Sequence, residues 1–244
     1  MALPWIDRTR ALYLTDLTLL LLLNHYFVPM AEAAAQLMHI PLPEMPLIKR
    51  TYLYFGFILL ACGWFRVRGE KLAEFGLTVQ ARWLRTIVLG LLVFAASMTF
   101  DLLVRPILDP VVGHLTGTST TLAEQHFASL RGNLSTLLVL LPSGWLFGGF
   151  GEEMFFRGFL MTRIAQVLGE GRGAWIAAIF LQSIPFALGH FYQGPVGVVA
   201  IYFGSLIVAT STVLWGRNLW PAIIAHGLQD TVGFLALYAG IAHA

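Results

Sequence analysis

Glu152, Glu153 and Arg157 stand in a run whose other members are apolar or glycine, Gly151-Glu152-Glu153-Met154-Phe155-Phe156-Arg157-Gly158-Phe159. A charged side chain at the centre of a bilayer costs about 2.5–3.5 kcal/mol on insertion scales, so such residues persist where they face a protein interior or a wet cavity and act there. Two more polar stations follow in apolar surroundings: His190, and His226 with Asp230. A buried carboxylate beside an imidazole can take a proton from water as the water attacks a carbonyl. A second imidazole with a polar neighbour can then supply donors to the oxyanion. The same types admit another chemistry. Glu152, Glu153, His190 and His226 could hold a divalent ion, since zinc accepts carboxylate and imidazole ligands. The chain has no His-Glu-x-x-His, however, so no zinc signature stands at helical spacing.

Helices must position these groups. Glu153 and Arg157 are four residues apart and share one face, where they can pair. Glu152 is turned about 100° from Glu153 and is free to point elsewhere. His226 and Asp230 are again four apart on one face. Arg157 stays charged in any surroundings, so its carboxylate partner is needed for folding. With Arg163, Ala174 and Arg217 taken as markers of one membrane boundary, Glu152 lies about 16 Å deep, His190 about 24 Å, His226 about 13 Å and Asp230 about 20 Å. These depths allow one shared cavity, if the fourth span is about Gly144 to Arg163. Leu134 to Leu141 is then an extension or re-entrant piece, with Pro142 and Gly144 as breakers. Gly144, Gly148, Gly149, Gly151 and Gly158 permit close helix approach and leave room for a cavity.

The chain as a whole fits this setting. It has 244 residues, 57% hydrophobic and only 11% charged, where soluble domains carry about 25% charged residues. Apolar windows at 11–31, 51–66, 84–104, 134–165, 174–191, 196–216 and 219–241 predict an all-α, polytopic transmembrane bundle of about seven to eight spans. A polar cavity is expected between the C-terminal helices. The whole chain, 1–244, reads as one integral membrane domain. The run Leu17 to Leu23 reads as a retained span rather than a cleaved leader, because Asp16, Asn24 and His25 flank it. Arg8, Arg10, Arg66, Arg68, Lys71, Arg82, Arg85, Arg163, Arg172 and Arg217 fall on one side of the membrane. Lys49, Arg50, Arg105 and Arg131 fall on the other, so the bias puts the N-terminus in the cytoplasm. A net charge of +2 offers no strong field for nucleic acid. The single Cys62 excludes an intrachain disulfide.

Three motifs in order resemble one family: the CAAX-type prenyl endopeptidases and their bacterial relatives, the CPBP or abortive-infection-like membrane proteases. Glu152, Glu153 and Arg157 match Glu-Glu-x-x-x-Arg. Phe186 and His190 match Phe-x-x-x-His. His226 and Asp230 match His-x-x-x-Asn, in the form with Asp that many bacterial members carry. The resemblance covers 145–232 and implies an intramembrane endopeptidase with its catalytic core at 134–241. Its substrate would be a membrane-anchored protein or peptide, with or without a lipid group. By the same resemblance Glu152 and His190 activate the water, His226 and Asp230 stabilise the oxyanion, and Glu153, Arg157 and Phe186 support the site. No cofactor is required in that mechanism. Asp230 is its weak point, since an ionised carboxylate repels an oxyanion. Compact length and composition suggest a bacterial cytoplasmic membrane. The alternatives are a metal-dependent membrane hydrolase and a non-catalytic immunity or scaffold protein.

The remaining polar features have plainer readings. Arg66 to Trp83 is expected to lie along the membrane interface. Pro106 to Gly132 is expected to be an extramembrane loop. His25, Asn24 and Asp16 read as a structural polar cluster, and His39, His114, His126 and His243 as solvated. Trp145, Trp175, Trp215 and Trp220 suit interface or packing positions.

Overall fold

The computed structural model describes residues 7–42, 46–118 and 126–241. Among them the chain forms eight helices and no strand: α1 (Arg8–Leu37), α2 (Pro46–Val67), α3 (Trp83–Leu103), α4 (Arg105–Thr116), α5 (Leu134–Val167), α6 (Arg172–Leu188), α7 (Gly194–Leu214) and α8 (Trp220–Ala239). Their order follows the apolar windows. Five helices (α1, α3, α5, the stretch Phe191–Leu214 that contains α7, and α8) are long and apolar enough to cross a membrane, and α6 is a shorter apolar helix. The protein is thus a helical integral membrane protein.

Local signals start and stop these helices. The Asp7 side chain accepts a hydrogen bond from the Arg10 amide at 2.8 Å, and Asn133 accepts from the Thr136 amide at 3.1 Å. Both satisfy amides that the first helical turn leaves orphaned. Gly117 and Gly240 end α4 and α8 in left-handed conformations, at φ 66° and 68°, which glycine adopts without steric cost.

α5 departs from the expected break. It runs unbroken through Pro142 and Gly144, and from Gly144 to Leu160 it is wound as a π-helix. The amide of Met161 donates to the carbonyl of Phe156, five residues back. Pro142 lacks an amide, yet the helix re-forms at once, because the Gly144 amide reaches Leu140 and Leu141. π-Winding is rare and concentrates at functional sites. Here it carries all three charges of the acidic motif.

Packing puts this segment at the centre. Phe155 and Phe159 are fully buried against Phe57, Phe65 and Phe75, which α2 and the turn at Leu72–Phe75 supply. Phe75 is therefore core, and the 66–83 segment folds inward rather than lying wholly at the interface. On its other side α5 approaches α8 closely. A Cβ on Gly149 would stand 3.1 Å from the Ile223 carbonyl oxygen, so only glycine fits without a shift.

Three further expectations are corrected. The first part of 106–132 is the helix α4, not a loop; Val112 faces inward while Ile107, Val111 and Leu115 point outward. Most of the Gly-Thr-Ser-Thr-Thr run lies outside the described residues, as does His243. Arg163, expected as a boundary marker, faces no solvent. It is fully buried, donates to Asp16 at 3.0 Å and to Gln166 and Glu70, and lies over the rings of Tyr13, Phe65 and Phe75. Asp16 is indeed in a structural cluster, but with Arg163 and Arg68 rather than with Asn24 and His25. These long-range ion pairs clip α1 onto the end of α5.

Candidate active site

The first acid of the pair is set by the winding of α5, the second by its partners. Glu153 is fully buried and Arg157 nearly so, at 0% and 2% exposure. Arg157 donates from Nη1 to Glu153 Oε1 at 3.0 Å and from Nη2 to Ser205 Oγ on α7 at 2.9 Å. Its guanidinium lies 4.1 Å from the ring centre of Phe186. The cation thus has an anion, a hydroxyl and an aromatic face in place of water. Phe186 packs under the charge as well as shaping the wall.

Glu153 has a second role that spacing did not reveal. Its Oε1 also meets His226 Nδ1 at 2.7 Å. A carboxylate already bonded to a guanidinium is an acceptor, so Nδ1 carries the proton and donates. Nε2 is left to face the cavity. A carboxylate that fixes one ring nitrogen and so defines the working one is the logic of histidine-based catalysis.

His226 Nε2 stands 3.9 Å from Glu152 Oε2 and 3.8 Å from Asp230 Oδ1. Glu152, His190, His226 and Asp230 all line one cavity of about 520 Å³, to which every helix from α2 to α8 contributes. The structure therefore brings together all four residues singled out for chemistry. His190 is not inside a helix, however. α6 ends at Leu188, and His190 occupies the turn that follows. Its Nδ1 contacts the Phe186 carbonyl at 2.9 Å. A carbonyl only accepts, so Nδ1 donates and Nε2 of the neutral ring has its lone pair free.

Two glycines make room for Asp230. A Cβ on Gly144 would lie 2.9 Å from Asp230 Cβ, and one on Gly148 would press on Asp230 Oδ2 and come within 3.2 Å of His226 Nε2. Gly148→Ala puts one methyl group into the acid–imidazole cluster. We expect it to lower kcat/KM by about 100-fold, the scale of a 1 Å misplacement, with a near-normal unfolding temperature. Kinetics and thermal unfolding of the purified variant check both halves.

The donors do not suit a metal ion. Among the described residues no three His, Cys, Asp or Glu side chains form a group that could hold an ion. Glu153 is committed to Arg157 and His226, and His190 Nδ1 to a carbonyl. The set Glu152, Glu153, His190 and His226 does not converge, so no step is routed through a metal.

Several cavity residues gave no sequence signal. Ser205 is one. Tyr192 is another, stacked against His126 with ring centres 4.5 Å apart at the cavity wall. Trp145 bonds Thr231 at 3.1 Å and ties α5 to α8, and Trp220 bonds the Thr78 carbonyl at 2.8 Å and ties α8 to the segment before α3.

An all-helical membrane protein with a buried acid–histidine cavity is the class this geometry defines. The match to known families is more particular: residues 134–232 match the family model described as type II CAAX prenyl endopeptidase Rce1-like. That match points to a CAAX-type membrane protease. No curated protein and no solved structure matches the chain.

Proposed function

We propose that this protein is an intramembrane endopeptidase that cleaves a membrane-anchored protein or peptide, lipidated or not, with water activated by Glu152 and His190. The catalytic core is 134–241, within a single membrane domain. A bacterial cytoplasmic membrane is the setting that composition and length suggest. The observation that carries the reading is the acid–imidazole cluster at 3.8 and 3.9 Å around His226 Nε2, in a cavity that His190 also lines.

In the proposed mechanism a water lies between Glu152 and His190 Nε2. Glu152 takes its proton as the oxygen attacks the scissile carbonyl carbon, while His190 Nε2 accepts from the water and orients it. The carbonyl π pair moves to oxygen. His226, in its imidazolium form, donates from Nε2 to that oxyanion while Nδ1–H stays on Glu153. Collapse re-forms the carbonyl, breaks the C–N bond, and returns the abstracted proton to the leaving amine. Asp230 is then a charge partner of the imidazolium rather than an oxyanion donor, which removes the conflict its acidity raised.

Asp230→Asn is accordingly expected to retain hydrolysis within about tenfold of wild type, the scale of losing one solvent-screened charge contact. Initial rates on a cleaved peptide check this, and complete loss would return Asp230 to an essential role. The broader test incubates wild type and Glu152→Ala with membrane-protein extracts and identifies new termini by mass spectrometry. Termini unique to the wild type are expected. Identical termini in both samples would sink the protease reading and favour a non-catalytic membrane partner.

A further inference from the structure

We infer that Ser205, on α7, is a positioning residue that fixes the working orientation of His226 through two intervening side chains. A continuous path of direct hydrogen bonds connects them. His226 Nδ1 meets Glu153 Oε1 at 2.7 Å, Arg157 Nη1 donates to the same oxygen at 3.0 Å, and Arg157 Nη2 donates to Ser205 Oγ at 2.9 Å. Ser205 Oγ donates to Ser183 Oγ at 2.9 Å, and Ser183 Oγ donates to the Ile179 carbonyl at 2.8 Å. The donors are fixed throughout: His226 and Arg157 both donate to the Glu153 carboxylate, and from Arg157 outward the donors run through Ser205 and Ser183 to a carbonyl that can only accept. Ser183 and Ser205 are buried, at 0% and 2% exposure, so water cannot readily replace a lost link.

The path has no slack at its centre. Arg157 Nε and Glu153 Oε2 are buried without a hydrogen-bond partner. The guanidinium is therefore aimed by two hydrogen bonds, to Glu153 and Ser205, and by the Phe186 ring. Removing the Ser205 hydroxyl leaves Arg157 Nη2 without its acceptor, frees the guanidinium to turn, and loosens the carboxylate that holds His226 Nδ1. Besides Glu153, the charged or titratable groups facing His226 are Glu152 from α5 and Asp230 from its own helix, and both compete for the ring once Glu153 relaxes. Residues that share one hydrogen-bond network couple in this way, whereas distant ones add independently.

The catalytic part of this inference rests on the proteolytic reading, but its structural part does not, and the test separates them. In purified protein with nitrogen-15-labelled histidine, wild type is expected to show His226 with a protonated Nδ1 engaged in a strong hydrogen bond. Ser205→Ala is expected to weaken that signature and to lower kcat about tenfold with little change in KM. Ser205→Thr, which restores the hydroxyl, should recover most of both. An unchanged His226 signature in Ser205→Ala overturns the inference, whatever the stability of the variant. A shifted signature in a protein that cleaves nothing even as wild type keeps the positioning role and removes the protease reading. If Ser205→Ala does not fold, Ser183→Ala removes the acceptor of the Ser205 proton and should shift the signature less but in the same sense; no shift there also overturns it.

Discussion

Glu152→Gln is expected to abolish peptide cleavage, lowering kcat by about 10²–10⁴-fold, the range set by loss of a positioned general base, while the protein remains folded. The two expectations come from the same facts. Glu152 lines the cavity and makes no hydrogen bond that holds helices together; its nearest charged contact is His226 Nε2, at 3.9 Å. Glutamine keeps the size and shape of the side chain but cannot take a proton from water. Its neighbour behaves differently. Glu153 is enclosed and bonded to both Arg157 and His226, so Glu153→Gln disturbs folding and ring orientation together. A rate assay paired with thermal unfolding distinguishes them. If Glu152→Gln cleaves at the wild-type rate, the base is elsewhere.

The second large effect is on stability, far from the cavity. Arg163→Ala is expected to destabilise the protein by about 3–5 kcal/mol, the cost of breaking a buried ion pair from one side. Asp16 is 3% exposed and would keep only Arg68, while Glu70 would keep only its longer contact to Arg68 at 3.6 Å. Arg68 is itself part-exposed, which places the expectation at the lower end of the range. Arg163→Lys should not rescue it. A single ammonium cannot reproduce a guanidinium that donates to Asp16, Gln166 and Glu70 and also lies over three aromatic rings. Unfolding followed in detergent, with α1 released first, checks the prediction. A variant as stable as wild type would mean that the α1–α5 contact rests on its apolar packing alone.

These two arginines also mark what a sequence can and cannot disclose. Arg157 was legible because its partner, Glu153, is four residues away on the same helix. Arg163 was not, because Asp16 and Glu70 lie 147 and 93 residues distant. A basic residue near the end of an apolar window looks the same whether it meets headgroups or a buried carboxylate. The windows themselves fixed helix order well, since a long apolar run in a bilayer has few alternatives to a helix. Breaks within a run were harder to read. Pro142 and Gly144 are breakers by local rule, yet α5 passes through them, widening to π-winding beyond Pro142. The polar residues and two prolines of α4 lower its mean hydropathy and give it the look of a loop, although Pro106 sits in the first turn, where proline is tolerated.

The site was partly legible for a similar reason. Glu152, His190, His226 and Asp230 could be placed at comparable depths from helix rise and three assumed boundary markers, and they do share a cavity. The bond between Glu153 and His226 was not foreseen, because i, i+4 reasoning looks along one helix and this contact joins two. Ser205 and Ser183 gave no signal, since single serines occur in many membrane helices as packing residues.

In the proposed mechanism a water molecule, deprotonated at Glu152, attacks the peptide carbonyl directly. Single-turnover cleavage in water enriched in oxygen-18, with enzyme in excess over peptide, tests it. One heavy oxygen is expected in the new carboxyl terminus of the product, and none in the peptide of the enzyme that contains Glu152. Heavy oxygen in that enzyme peptide, or a trapped acyl adduct on Glu152, would contradict it.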